Sequence, residues 1–306
     1  MKGLELSGLF WDNIARPRLE RAMPQILDVA AVGLVGEGSE CWGFDDSVSR
    51  DHDWGPGFCL WLNDDDMALY GDALREYYEG LPQEYMGARR LHVLPQTEHR
   101  VGPCATGDFY SRYLGISGAP NSIDEWRHIP EFGLSAATNG KVFQDPAGRF
   151  TAIREALLAY YPEPLRMKKL AMSCALAGQS GQYNYRRCLA HGEPVAAMAA
   201  MTEFIRHIQA VVFLLNRRYR PYYKWTDRAM RSLPLLGAKL SPLMRRLVEE
   251  PDSRTELIEE ISEIVISELR AKGLSRTRSD FLLDHGEEIQ SGIKDEFLQS
   301  LPLMAE

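Results

Sequence analysis

The sequence predicts an α+β protein, with a mixed sheet and helices in residues 1–148 and an all-α helical bundle in 149–306. Three observations carry this prediction. The chain has 306 residues, enough for two cores at roughly 100–200 residues per domain. Short valine-rich or aromatic runs bounded by Gly and Pro recur before residue 148, whereas from Phe150 onward the apolar residues fall at helical spacing. The turn Asp145-Pro146-Ala147-Gly148 stands where one pattern gives way to the other.

Taken in order, Leu6, Leu9, Phe10, Ile14, Leu19, Met23 and Ile26 are spaced for one or two helices, interrupted at Pro17 and Pro24. Val29 to Val35 reads as a buried strand ending at Gly36. Phe58 to Leu62 is a second strand, with Gly55, Pro56 and Gly57 breaking its approach and implying a bulge or an edge. Asn63 and the three aspartates after it cap a helix that runs to Gly80, with acids at its positive end. Arg90 to Leu94 is a short strand, and Gly102-Pro103 lies in a turn. A helix follows from Asp108 to Gly115, then a capped helix from Asn121, then a small strand at Lys141-Val142-Phe143. In the second half, Val195 to Tyr219 is one long apolar helix. Leu257, Ile258, Ile261, Ile264, Val265 and Leu269 make the buried stripe of another.

Composition limits the function classes. Hydrophobic residues at 45% and charged residues at 25% are the balance of a globular protein. A net charge of −8 denies the surface the broad positive field on which duplex nucleic-acid binding depends, so no duplex partner is expected. Five cysteines at wide spacing form neither a C-x-x-C nor a zinc pattern, which fits reduced thiols and a cytoplasmic location. The first residues lack a secretory apolar core, and no uninterrupted apolar run approaches the roughly 18 residues of a membrane span, so no membrane partner is expected. Neither a G-x-S-x-G nucleophile turn nor a cysteine with an activating neighbour occurs.

The chemistry concentrates in Gly36 to Asp53, GEGSECWGFDDSVSRDHD. A glycine turn leaving a strand can offer backbone N–H groups and the Ser39 hydroxyl to phosphate, or it can be an ordinary turn with Ser39 as an N-cap. A dinucleotide fingerprint fails because Cys41 stands where the third glycine belongs. Asp51 and Asp53, one residue apart, point to one face if they lie on a strand, where paired carboxylates can hold divalent metal; with Asp45 and Asp46 just upstream, the alternative is a solvated acidic loop. His52 then points away from that face. Asp45 and Asp46 are expected to order the turn through side-chain bonds to the backbone.

Gly38-Ser39 followed by Asp51-His52-Asp53 resembles the signature of the polymerase-β-type nucleotidyltransferase superfamily. The helical second half is similar to the substrate-binding half of kanamycin-type nucleotidyltransferases. The longer pattern through Asp53-Trp54-Gly55-Pro56, with Tyr222-Tyr223-Lys224-Trp225, resembles a two-domain bacterial family whose members are mostly of unknown function. The resemblance implies that Gly38 and Ser39 contact the phosphates of an NTP, ATP foremost, and that Asp51 and Asp53 bind Mg²⁺. It implies transfer of a nucleoside monophosphate to a hydroxyl of an acceptor selected by the bundle, with the cleft between the two domains. The acidic chain points to a small-molecule acceptor. The superfamily's third carboxylate has no counterpart in Arg90 to Leu94, and Glu98 is the nearest acid downstream. Gly55-Pro56-Gly57 replaces the more usual apolar strand, which would shift the metal geometry or make room for substrate. The alternative is a nucleotide-binding or interaction protein that kept the fold without catalysis. Finally, Arg217 to Trp225 is the densest basic and aromatic cluster in the chain. It either binds a base or phosphate, with Lys224 the foremost contact, or closes a helix end.

Overall fold

The computed structural model describes residues 1–49, 54–91 and 100–305. The chain divides into two compact units, Met1–Ala159 and Tyr160–Glu306. The first is α+β with a mixed sheet. The second, in its described residues, is built from helices.

In the first unit the strands are β1 (Ala31–Leu34), β2 (Cys59–Leu62), β3 (Glu84–Tyr85), β4 (Ala88–Arg89), β5 (Gly102–Ala105) and β6 (Lys141–Gln144). Four of them form one sheet in the order β5-β2-β1-β6, while β3 and β4 form a separate small hairpin. Strand β1 is antiparallel to both β2 and β6, and β2 is parallel to β5. All residues of β1 and β2 are buried, as expected for central strands covered on both faces. Successive side chains of β2 serve opposite cores. Phe58, Leu60 and Leu62 join Phe10, Trp11 and Leu19 of the N-terminal helices. On the other face Trp61 stacks on Phe150, with ring centroids 3.9 Å apart, and meets Phe109 edge-on.

Several elements depart from the sequence reading. Pro17 does not break the N-terminal helix, because the π-helical segment Trp11–Ala15 directly before it takes up the change in backbone bonding that a missing N–H requires. Gly102-Pro103, read as a turn, belongs to β5. That strand lies at the sheet edge, where a proline removes no needed ladder bond. Arg90 and Leu91, read as the start of a strand, lie outside one. Arg90 instead turns its guanidinium onto the carbonyls of Tyr78, Glu79 and Leu81, satisfying the end of the helix Asp64–Glu79. Residues 92–94 of that expected strand lie outside the described residues. The helix Arg149–Leu158 belongs to the first unit, because Phe150 is fully buried against Trp61, Phe109 and Tyr110. The Pro/Gly turn at 145–148 is therefore a connection inside that unit, and the break falls after Ala159. The cap expected at Asn63 forms, its side chain accepting from Asp66 N at 2.7 Å, and the helix read from Asn121 is capped one residue later, by Ser122 accepting from Glu125 N at 3.1 Å.

The second unit packs Glu163–Ala177 against Pro194–Leu215 and Leu282–Ser291. Glycines permit the close approaches. A Cβ at Gly181 would fall 2.3 Å from the Phe204 ring, and one at Gly286 would fall 2.6 Å from the Ala171 carbonyl. Pro194–Leu215 is long and apolar enough to cross a membrane by length and composition. Met201, Phe204, Ile208, Val211 and Val212 of this helix are buried within the unit. The helix Arg254–Ala271 buries Leu257, Ile258, Ile261, Val265 and Leu269, the stripe expected from their spacing, while Ile264 is half-buried at its margin. Lys168, in the helix Glu163–Ala177, is fully buried. Its ammonium donates to Gln290 Oε1 at 2.6 Å, Pro302 O at 2.7 Å and Leu303 O at 3.2 Å.

Candidate functional site

The glycine turn begins where β1 ends. Gly36 has φ +119° and Gly38 has φ +118°, backbone conformations that L side chains rarely adopt. Each also has a close neighbour. Asn139 clamps Gly36 from both sides, accepting from its N–H at 2.8 Å and donating to its carbonyl at 2.7 Å. The Tyr113 hydroxyl sits where a Gly36 Cβ would be, 2.5 Å from that position. At Gly38 a Cβ would fall 2.3 Å from Arg100 Nη2 and 2.7 Å from both carboxylate oxygens of Glu40.

Arg100 and Glu40 form an ion pair across this glycine, and Arg100 Nε also donates to the Glu37 carbonyl at 3.3 Å. Glu40 is 1% exposed. Burial pushes its carboxyl above the usual carboxylate range, against the pull of Arg100. The segment then closes as a short helical turn, with Ser39 O accepting from Trp42 N at 3.2 Å and Phe44 N at 2.8 Å. Ser39 is half-buried, and among the described residues its hydroxyl makes no hydrogen bond.

Asp45 and Asp46 serve the backbone. Asp46 Oδ1 accepts from Val48 N at 3.0 Å and Ser49 N at 3.1 Å, an Asx-type turn. Asp45 is buried at the start of the helix Gly3–Phe10, where its Oδ2 accepts from Gly3 N at 2.8 Å. The same oxygen accepts from Trp54 Nε1 at 3.1 Å. Asp45 and Trp54 therefore meet beside the glycine turn. A Cβ at Gly3 would fall 2.8 Å from both Glu40 Cβ and Trp54 Nε1. Asp51, His52, Asp53 and Glu98 lie outside the described residues.

Gly55-Pro56-Gly57 has a packing reason. A Gly55 Cβ would fall 1.9 Å from the Arg89 carbonyl, and Leu91 N donates to Pro56 O at 3.1 Å. The space next to Gly55 is filled by backbone and gives no room to a substrate there. Among the described residues no group of three or more His, Cys, Asp or Glu side chains is arranged to hold a metal ion. Burial pushes the thiols of Cys104 and Cys174 up to about 12, and Cys41 and Cys59 higher, so none is a ready nucleophile.

Lys224 lies in the second unit, exposed, with its ammonium 5.0 Å from the centroid of the Trp225 ring. The contributions of Asn139, Tyr113 and Arg100 to the glycine turn went unread in the sequence. They come from segments far along the chain, and an isolated Asn, Tyr or Arg carries no local pattern. Only Asn139, followed directly by Gly140 after an apolar helix, offered a turn signal.

A family model for a domain of unknown function (DUF4037) matches residues 126–226, beginning in the first unit and ending in the second. No curated protein matches the sequence. Among solved structures, the chain is similar to a nucleotidyltransferase-like protein from Exiguobacterium sibiricum 255-15. The identity is 12% and the TM-score 0.37, over 85% of this chain and 76% of that one.

Proposed function

We propose that the chain is a metal-dependent nucleotidyltransferase that moves a nucleoside monophosphate from an NTP, ATP foremost, to a hydroxyl of a small-molecule acceptor in the cytoplasm. One observation carries the reading. Trp54 is hydrogen-bonded to Asp45 next to the turn of Gly38 and Ser39, where Gly38 has φ +118°. In the sequence Asp53 immediately precedes Trp54, and this adjacency supports a role for the acid pair beside the phosphate-binding candidates. In this reading Ser39 gives its unengaged hydroxyl to a phosphate oxygen. Asp51 and Asp53 would hold Mg²⁺, which neutralises the triphosphate and activates the acceptor oxygen. Glu98 is the third carboxylate in this reading. Arg100, already against Gly38, adds positive charge where phosphate would arrive.

Incubation with α-labelled NTPs, Mg²⁺ and a metabolite extract tests the proposal. Label transfer that depends on metal and falls at least about 100-fold in Asp51→Ala and Asp53→Ala is the expected outcome. Tight NTP binding with no transfer under any condition would establish the alternative, a binding protein on the same fold.

A further inference from the structure

The stretch from Arg217 to Arg231 is a cationic island in an acidic chain. Its fifteen residues hold six cations (Arg217, Arg218, Arg220, Lys224, Arg228 and Arg231) against one acid, Asp227, while the chain as a whole carries −8. Carboxylates neutralise part of it. Glu163 takes Arg217 at 2.6 Å, and Asp227 takes Arg231 at 2.5 Å. Arg218 and Lys224, both exposed, have no carboxylate contact among the described residues.

Aromatic faces stand beside these charges. Tyr222 is 53% exposed and Tyr223 is 78% exposed, with ring centroids 4.4 Å apart. Large rings on a monomer surface are costly to leave wet unless they meet something. Burying a base on such a ring recovers that cost, and the neighbouring cations suit the phosphates on either side of the base. The platform is firmly built. Tyr219 is buried with its ring stacked 4.8 Å from Tyr160, and Thr226 Oγ1 donates to Pro221 O at 3.1 Å. The Asn216 side chain ties the turn to Leu235 through bonds of 2.9 Å in both directions.

We infer that the Arg217–Arg231 turn binds single-stranded polynucleotide, with unpaired bases stacking on Tyr222 and Tyr223 and phosphates meeting Arg218 and Lys224. A duplex hides its base faces and so cannot use the rings. The charges alone would accept it only weakly, given the acidic remainder of the chain. The inference does not rest on nucleotidyl transfer, and its test is run in EDTA without NTP, so the failure of one leaves the other standing.

The test is fluorescence anisotropy on the full chain with an end-labelled 15-nucleotide RNA of mixed sequence at low salt. The single strand is expected to bind at least about ten-fold more tightly than the same sequence annealed to its complement. Tyr222→Ala with Tyr223→Ala should weaken it about ten-fold or more. Arg218→Gln with Lys224→Gln should flatten the dependence of affinity on salt. All four side chains are exposed, so circular dichroism should show unchanged folding. If the tyrosine pair is poorly folded, the charge pair alone decides through the salt slope. Equal affinity for duplex, an unchanged affinity and salt slope in both variants, or full displacement of the strand by equimolar ATP would overturn the inference. The last result would assign the rings to a free nucleotide.

Discussion

Asn139 decides whether the glycine turn exists as described. It is buried, more than a hundred residues from Gly36 in sequence, and satisfies both backbone groups of a glycine held at φ +119°. Buried polar groups left without partners cost about 1–3 kcal/mol each. Asn139→Ala should therefore destabilise the first unit by at least about 2 kcal/mol in urea unfolding followed by tryptophan fluorescence. Asn139→Asp, which keeps the acceptor and loses the donor, should fall between. A loss under about 0.5 kcal/mol in the alanine variant would show that the clamp is dispensable. Glycines 36 and 38 were legible as a turn because glycine alone suits such backbone. What fills the space beside them was not, since Tyr113, Arg100 and Glu40 reach it only through the fold.

At the scale of elements, edge and centre explain the differences from pattern reading. Pro103 reads as a turn signal, yet β5 borders the sheet and tolerates it. Lys168 makes the opposite case. A lysine in a helix ordinarily faces water, but in Glu163–Ala177 its ammonium meets three acceptors, two of them carbonyls of the segment Pro302-Leu303. Lys168→Met keeps the length of the side chain and removes all three donors. It should cost about 2–4 kcal/mol, since hydrogen bonds to a charged group contribute about 1.5–3 kcal/mol each and relief of burying the charge offsets part of that. Hydrogen exchange across residues 300–305 should quicken markedly in this variant. Unchanged protection there would mean that apolar packing alone holds the segment.

For the whole molecule, the position of the division has a measurable consequence. A fragment of residues 1–159 retains Phe150 on Trp61, whereas a fragment ending at 148 loses the ring that closes one face of the sheet. The longer fragment should give a dispersed amide spectrum and a cooperative melt. The shorter one should lose cooperativity or precipitate. Two equally well-folded fragments would put the boundary back at the Pro/Gly turn. The composition shift at 148 marked a real change of pattern, but a helix belongs to the core it fills, and its spacing does not name that core.

By itself the sequence determined the α+β character, the strands β1 and β2, the cap at Asn63, and the glycine turn at Gly36 and Gly38. Each follows from local chemistry, namely alternation or unbroken burial, a side-chain oxygen three residues before an N–H, or the absence of a Cβ. Tertiary structure alone decided the clamp of Asn139, the Arg100–Glu40 pair over Gly38, the burial of Lys168 and the membership of Phe150. These are contacts between residues distant in the chain. Their free energy comes from desolvation and packing of partners that no local window contains.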